Sequence, residues 1–335
     1  MRDRNEVLSL GDAALGWAFA SSRVGSSHVR SGKPCQDAYA LWSGAVAGQS
    51  CLIAAVADGH GDDRHDQSQY GAALAVQSAI EEMVGLQTHF GGARMTSQLV
   101  NSFKTDFPRR LGRRWREAVI ADAKSRLLSE GSEENRKSSD LLPRYGTTLL
   151  TALVVGNTLL VGQIGDGETM LVEPDATVGF PLTCENEDVG MVTDSLCSAE
   201  AHLRWRTAAR DYSKGGLVLL STDGLVNAFS DENQLNAFAR SMKDRIQEFG
   251  LLNVASSLPG WLDHYSGLGS GDDITLAVVM IHPGSEGQAE KQSVAEITSH
   301  GTSDQSQGGA HVIGDRTTGI RGDGQYILGG EEKAW

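Results

Sequence analysis

Short runs of Val, Ile, Leu and Ala recur along the chain, and each ends near Gly or Asp, which predicts β-strands. The predicted strands are Leu15–Ser21, Cys51–Ala57, Thr147–Val155, Thr158–Ile164, Thr169–Glu173, Leu217–Ser221 and Ile274–Ile281. Gly156 and Asn157 separate two of these runs and are typical of a hairpin turn. Because tight turns join antiparallel strands, the pattern favours antiparallel pairing.

Apolar residues at helical spacing predict helices between the strand groups. The predicted helices are Gln69–Met83, Met95–Leu128, Asp231–Phe249 and Leu251–Tyr265. Pro108 is expected to divide the second of them into two, and Gly250 is expected to cap the third. Strands in hairpin groups with helices in pairs between them predict an α+β fold, in which two packed antiparallel β-sheets are flanked by helix pairs.

Composition divides the chain into three parts. Residues 1–13 are a charged lead-in, residues 14–282 hold the strands and helices as one domain, and residues 283–335 are rich in Gly, Ser, Gln and Thr. A segment with few large apolar residues buries too little surface to offset its ordering entropy, so residues 283–335 are predicted to be mostly disordered. Tyr326–Leu328 and Trp335 are the apolar positions there that are able to dock.

The acidic balance of the chain narrows the classes of function. The 335 residues include 29 Lys and Arg against 43 Asp and Glu, a net charge of −14, which argues against nucleic-acid binding. Phosphorylated substrates stay open, because bound cations invert the local charge at a site. The sequence shows neither a signal peptide nor about 20 consecutive apolar residues, so we expect a cytoplasmic protein without membrane contact.

Aspartates at the ends of predicted strands carry the chemical signal. They are Asp37, Asp58, Asp166, Asp223 and Asp272. A single Asp–Gly after a strand is most simply a turn. Several carboxylates that converge at one rim of a sheet, however, repel one another unless a cation neutralises them. Hard oxygen ligands suit magnesium or manganese, and two such ions about 3.5–4 Å apart bind a phosphate and generate hydroxide from water.

Six motifs, in this order, resemble those of the type-2C (PPM) metal-dependent serine/threonine protein phosphatases of the bacterial type. They are Gln36–Asp37, Val56–Gly61, Tyr145–Thr148, Gly165–Gly167, Ser221–Leu225 and Gly271–Leu276. The resemblance extends from about Leu15 to His282 and implies the same sandwich of two antiparallel sheets. It also implies hydrolysis of phosphoserine or phosphothreonine in proteins by direct attack of a water that bridges two divalent cations, Mn²⁺ or Mg²⁺.

The resemblance implies a role for each matching metal ligand. Asp58 is expected to bridge both cations, and the Gly59 carbonyl is expected to face the second of them. Asp223 and Asp272 complete the site of the first cation, and Asp37 supports the site through its waters.

Two further positions match residues with roles in the family. Asp166 corresponds to a residue that helps to hold a third, weaker cation in some relatives. His60 corresponds to the proposed general acid that protonates the leaving serine or threonine oxygen. Histidine suits this role because it titrates near neutral pH, and the alternative is a residue that orders metal-bound water.

The sequence departs from the family pattern where the substrate phosphate is expected. Gln36 stands where many relatives have Glu, and Gly32 stands where they have a phosphate-binding Arg. Arg30, as a bidentate ligand, and His28, as a hydrogen-bond donor, are the nearby candidates for substrate binding. Solvated loop charges are the alternative for both.

Residues 182–211 correspond to a flap beside the active site in bacterial relatives. Arg204, Arg206 and Arg210 in this segment either meet a phosphoprotein or lie on a solvated helix face.

The preferred hypothesis is a signalling phosphatase with phosphorylated protein substrates, which are a separately encoded Ser/Thr kinase or its targets. A catalytically weak or inactive phosphatase fold that binds phosphoproteins is the alternative, because of Gln36 and the missing Arg. A different two-metal hydrolase, such as a nuclease, is a third hypothesis, and the net charge of −14 counts against it.

Overall fold

Two six-stranded antiparallel sheets form the centre of this computed structural model, which describes residues 9–12, 15–46, 49–89, 96–129, 141–182, 193–284 and 324–329. In chain order the strands are β1 (Ser9–Asp12), β2 (Gly16–Arg23), β3 (Ala38–Val46), β4 (Gln49–Ala57), β5 (Leu149–Val155), β6 (Thr158–Ile164), β7 (Glu168–Val172), β8 (Val178–Gly179), β9 (Arg206–Asp211), β10 (Gly216–Ser221), β11 (Ile274–Ile281) and β12 (Gly324–Gly329). The first sheet has the order β1-β2-β11-β10-β7-β8, and the second has the order β12-β3-β4-β5-β6-β9.

Helices cover the outer face of each sheet. They are α1 (Ser26–Ser31), α2 (Ser68–His89), α3 (Thr96–Thr105), α4 (Phe107–Ser129), α5 (Asp223–Val226), α6 (Glu232–Phe249) and α7 (Leu251–Leu268). Helices α2 to α4 pack on the second sheet, whereas α6 and α7 pack on the first. The predicted fold class, two packed antiparallel sheets flanked by helix pairs, is confirmed. None of the helices in the described ranges combines the length and apolar character that crossing a membrane requires.

Strand β4 shows why the sheets lie in the interior. Ile53 faces the cluster under the helices of the second sheet, while its neighbour Leu52 faces the cluster between the two sheets. Both faces of β4 are therefore buried, and this accounts for its unbroken apolar run in place of an alternating pattern. The rim where β4 ends at Ala57 is also where β10 ends and where β3 and β11 begin, because each is paired antiparallel with its neighbour.

The seven predicted strands and the predicted helices are confirmed to within a few residues at most ends. Pro108 is the second residue of α4, a position at which its missing N–H costs nothing, so it marks the start of that helix. Strands β1, β3, β8, β9 and β12 were not predicted. Strand β9 is a polar edge strand, in which apolar residues do not alternate clearly with polar ones.

The C-terminal segment contributes a strand to the second sheet. Gly324–Gly329, which contain the Tyr326–Leu328 positions expected to be able to dock, pair along their whole length with Tyr39–Gly44 of β3. Tyr326 packs against the cluster under the helices, and Ile327 is only 9% exposed and packs between the sheets. These two apolar side chains on opposite faces of one short strand explain the docking. Residues 285–323 and 330–335 lie outside the described residues.

Replacing Ile327 with alanine is expected to lower the free energy of unfolding by about 2 kcal/mol, the lower end of the range for a buried Ile→Ala change. Gln325→Ala is the matched control, because Gln325 is exposed on the same strand, and its effect is expected to stay within about 0.5 kcal/mol. Urea denaturation of the two variants measures both values. Equal effects would show that β12 does not pack on the domain in solution.

Candidate active site

Five aspartates from different elements face one another at the rim of the sandwich. Asp58 follows β4, Asp223 begins α5, Asp272 precedes β11, Asp37 precedes β3, and Asp166 lies in the turn between β6 and β7. The charges of Asp37, Asp223 and Asp272 act on Asp58, and the charge of Asp166 acts on Asp223. The structure therefore brings the sequence-predicted aspartates into one electrostatic cluster.

Asp58 and Asp223 lie within hydrogen-bonding reach of each other in this cluster. A hydrogen bond between two carboxyl groups requires one of them to hold a proton. Burial, together with the charges of Asp37 and Asp223, raises the pKa of Asp58 well above its usual range. Burial and the charges of Asp166 and Asp272 raise the pKa of Asp223 as well. A cation between the two carboxylates is able to replace the shared proton.

Asp37 is buried beside Thr222. The Thr222 hydroxyl donates to Asp37 Oδ2 at 2.9 Å, which leaves the other carboxylate oxygen without a protein donor. Burial and the charge of Asp273 raise the pKa of Asp37 well above its usual range. Asp223 Oδ1 and Gln36 Oε1 are likewise buried and without a hydrogen-bond partner. Buried acceptors of this kind are costly unless a donor or a cation reaches them.

The chemistry of these side chains fits the binding of divalent cations. The side chains supply only oxygen atoms, which are the donors that magnesium and manganese prefer. Within the part of the chain that the structure describes, however, no three His, Cys, Asp or Glu side chains are grouped so that they could hold a metal ion.

The backbone around Asp58 is held by the motif that contains Thr147 and Thr148. The Thr148 N–H and the Thr147 hydroxyl both donate to the Asp58 carbonyl at 2.8 Å, and the Asp58 N–H donates to Thr148 Oγ1 at 3.1 Å. The next residue, Gly59, has no room for a side chain, because a Cβ there would lie 2.6 Å from the Gln36 carbonyl oxygen. These contacts fix the direction in which the Asp58 carboxylate leaves the strand.

Asp273 ties together both ends of the segment that carries α1. It is 3% exposed, and its carboxylate accepts hydrogen bonds from the backbone N–H groups of Gly25 and Gln36, both at 2.6 Å. His28 Nδ1 lies 2.9 Å from the same carboxylate in a largely buried hydrogen-bond contact. The structure thus places His28 on the side of α1 that faces Asp273, and its Nδ1 is already hydrogen-bonded to that residue. The role of Asp273 was not predicted from the sequence.

Two basic side chains, those of Arg30 and Lys33, lie on the outer side of this segment. The exposed Arg30 guanidinium donates to Ser26 Oγ at 3.4 Å, and the Lys33 ammonium donates to the Gly61 carbonyl at 3.3 Å. Gly61 lies three residues after Asp58, so Lys33 reaches the loop that carries the central aspartate. Of the basic residues near the missing family Arg, Lys33 therefore has the most direct contact with the site.

His60 lies half-buried against a second imidazole. Its ring stacks edge-on with that of His65 at 4.9 Å, and the His65 Nδ1 is hydrogen-bonded to the Pro143 carbonyl. Burial and the neighbouring His65 lower the pKa of His60 to about 4. An imidazole of that pKa is neutral near pH 7 and lacks the second ring proton, which is the one that a histidine general acid gives away.

The segment opposite α1 approaches Asp166. Thr193 Oγ1 donates to Asp166 Oδ2 at 2.6 Å, and Arg206 donates to the carbonyls of Gly165 and Leu182. Arg206 and Arg210 belong to strand β9, so the expectation of a solvated helix face is wrong for both. Residues 183–192 of the predicted flap lie outside the described residues.

The raised carboxyl pKa values predict how the stability of the metal-free protein depends on pH. A carboxyl group whose pKa is higher in the folded state contributes stability below its unfolded pKa of about 4, and this contribution is lost as the pH rises through the folded pKa. The melting temperature of metal-free protein is therefore expected to fall more steeply between pH 5 and pH 8 than that of Asp58→Asn. Calorimetry in EDTA measures both slopes, and parallel slopes would contradict the assigned pKa direction of Asp58.

The chain belongs to the Protein phosphatase 2C family, whose sequence model matches residues 24–263. No curated protein sequence matches the chain at a significant level.

Solved structures share the fold at low sequence identity. A bacterial serine phosphatase is 14% identical with a TM-score of 0.52, and the match covers 79% of this chain and 97% of that one. The catalytic domain of the serine threonine protein phosphatase PstP, solved with two manganese ions, is 20% identical with a TM-score of 0.46, covering 80% and 99%. RsbX, solved with magnesium, is 13% identical with a TM-score of 0.47, covering 82% and 99%.

Proposed function

We propose that this protein is a metal-dependent phosphatase that hydrolyses phosphoserine and phosphothreonine in proteins. The observation that carries the proposal is the contact between the half-buried carboxyl groups of Asp58 and Asp223, in a chain of the Protein phosphatase 2C family. Two carboxylates placed together at the cost of raised pKa values indicate a site that a cation completes.

The residues proposed to hold two cations, Mn²⁺ or Mg²⁺, are Asp58, Gly59, Asp223 and Asp272, supported by Asp37, with Asp166 for a third, weaker one. Bound there, the cations supply Lewis acidity and lower the pKa of a coordinated water. Thr147 and Thr148 hold the Asp58 backbone, while Thr222 orients Asp37. The protein thus fixes the carboxylates in advance of the reaction.

His60 has two possible roles in this proposal. As a general acid it would give a proton to the leaving serine or threonine oxygen, which contributes about 10²–10⁴-fold to the rate. The pKa of about 4, caused by burial and His65, favours the second role, in which neutral His60 orients a water by hydrogen bonding. The ratio of the rates on phosphopeptide and p-nitrophenyl phosphate in His60→Ala separates the roles, because the nitrophenolate leaving group needs no proton.

Lys33 is the proposed ligand of the substrate phosphate. Lys33→Gln is expected to raise KM about tenfold for both p-nitrophenyl phosphate and a phosphopeptide, because it removes one charged hydrogen bond. Lys33→Arg keeps the charge and is expected to stay within about threefold of the wild type. Steady-state kinetics measures both, and an unchanged KM in Lys33→Gln would remove Lys33 from the phosphate site.

Peptide hydrolysis tests the proposed function. The purified protein is expected to release phosphate from phosphoserine and phosphothreonine peptides in manganese, and to stop when EDTA is in excess. A phosphotyrosine peptide in the same assay tests the substrate class. If the folded protein releases phosphate from none of the peptides in either manganese or magnesium, the proposal is contradicted.

Phosphoprotein binding without turnover is the second candidate. The observation that favours it is the lack of three metal-binding side chains around one point among the described residues. The Gln36 amide also donates to Ser68 Oγ at 2.6 Å, where many relatives carry an acid instead. Calorimetric titration with manganese separates the candidates, since the phosphatase is expected to bind two ions and a binding protein need not bind any.

The proposed partners are phosphorylated proteins in the cytoplasm, namely a separately encoded serine/threonine kinase or its targets. This places the chain in signalling by reversible phosphorylation.

A further inference from the structure

Residues 25–36, here called the α1 lobe, stand at the rim beside the aspartate cluster. The carboxylate of Asp273 closes the base of the lobe, because it accepts from the N–H groups of Gly25 at its first residue and Gln36 at its last. His28 Nδ1 adds a third contact to the same carboxylate. A lobe closed at its base by one buried group has its outer residues in a defined position.

Both sides of the lobe touch loops of the proposed metal site. On one side, the Ser27 N–H and hydroxyl donate to the Gly271 carbonyl at 2.9 Å and 2.5 Å, and a Cβ on Gly25 would lie 2.3 Å from the backbone of Asp272. On the other side, Lys33 reaches the Gly61 carbonyl. The lobe therefore forms a wall of the site between the Asp272 loop and the Asp58 loop.

The outer face of this wall carries positive charge that no acidic side chain of the described ranges pairs with. Among the described residues, neither Arg30 nor Lys33 lies in an ion pair, and Arg30 makes its hydrogen bond with the Ser26 hydroxyl. Other arginines near the rim behave differently: Arg23, Arg64 and Arg144 pair with Asp263, Asp62 and Asp66. An exposed guanidinium that pairs with no carboxylate in the part of the chain that the structure describes is able to bind a carboxylate of another molecule.

We infer that Arg30 is a specificity-determining residue, which binds an acidic side chain close in sequence to the phosphorylated residue of the substrate protein. The inference rests on the proposed function and names its substrate class. Arg30 and Lys33 are three residues apart, so their Cα atoms lie at most about 11 Å from each other. Three residues of extended peptide are enough to span that upper bound. With the phosphate at Lys33, a carboxylate within three residues of it is therefore able to reach Arg30.

The expected size of the preference follows from the exposure of Arg30. A solvent-exposed ion pair contributes about 0.2–1 kcal/mol, and a reversed charge turns the attraction into a repulsion of similar size. Arg30→Glu is therefore expected to lower kcat/KM about two- to thirtyfold for a phosphothreonine peptide with Glu two residues from the phosphate. The loss is expected to shrink in 0.5 M salt, where the Debye length is about 4 Å.

The experiment compares three variants of the full chain. Arg30→Glu is the test, and Arg30→Lys keeps the charge. Lys214→Glu is the matched control, because Lys214 is exposed and lies near the end of β11 that is farthest from the site, about 25 Å from Ile274. The substrates are the acidic peptide, the same peptide with Ala in place of Glu, and p-nitrophenyl phosphate.

The inference predicts that only Arg30→Glu loses rate, and only on the acidic peptide. Equal rates of Arg30→Glu and Lys214→Glu on that peptide, with normal turnover by both, would overturn the inference while the phosphatase stands. If the wild type turns over none of the substrates, the proposed function fails. Fluorescence anisotropy of the labelled acidic peptide then tests the inference alone, and weaker binding by Arg30→Glu supports it whereas unchanged binding overturns it.

Discussion

Replacing Asp58 with asparagine is expected to lower the rate of phosphopeptide hydrolysis by more than about 100-fold. Loss of a residue that only supports a metal ligand costs about 10–100-fold, and Asp58 is proposed to contact both cations, so its loss exceeds that range. Asparagine has nearly the shape of aspartate, and the Thr147 and Thr148 contacts to the backbone of Asp58 do not depend on its side chain. The fold is therefore expected to survive.

Asp63→Asn is the control for this variant. Asp63 is an exposed carboxylate in the same loop, and its replacement removes the same charge without touching the cluster. Turnover with manganese and melting in EDTA are measured for both variants. The account expects Asp58→Asn to be inactive and no less stable than the wild type. Near-normal turnover by Asp58→Asn would show that the reaction does not depend on this carboxylate.

Replacing Asp273 with alanine is expected to lower the free energy of unfolding by about 3–5 kcal/mol. The change removes the acceptor of two buried backbone N–H groups, at Gly25 and Gln36, and leaves His28 without its partner. Removing one side of a buried pair costs this much because the other groups stay buried and unsatisfied. Activity is expected to fall with it, because the α1 lobe then no longer has a closed base beside Asp272.

Asp263→Ala is the matched control for Asp273→Ala. Asp263 likewise pairs with a basic side chain, that of Arg23, but the side chains of Asp263 and Arg23 are 47% and 37% exposed. An exposed pair contributes at most about 1 kcal/mol, so the control is expected to lose no more than that. Urea denaturation measures the two losses. Similar losses would mean that Asp273 is not the structural centre of the lobe.

The sequence predicts the layout of the fold well, because most of its strands are buried. Strand β4 is apolar on both faces, and the hairpin of β5 and β6 contains Gly156 and Asn157 at its turn. Strand β12 could not be predicted in this way, because its docking depends on Tyr326 and Ile327 finding the edge of β3 about 280 residues earlier in the chain. Local pattern contains no information on such a pairing.

The cluster of aspartates could be predicted from the sequence, but the contacts that hold these residues in place could not. Repeated aspartates at strand ends pointed to Asp58, Asp223 and Asp272, because strand ends converge at a rim. The bonds from Asp273 to Gly25 and Gln36 join residues 248 and 237 positions apart, which no spacing rule connects. The lowered pKa of His60 depends on burial beside His65, and sequence motifs do not show burial.

The most direct test of the central claim is phosphate release from a phosphothreonine peptide as manganese is titrated into metal-free protein. The account predicts no release before manganese is added, a saturable rise in rate with the metal, and loss of the rise in Asp58→Asn. A rate that is the same with and without manganese, or a rise that Asp58→Asn retains in full, would contradict the claim that these aspartates form the metal site of a phosphatase.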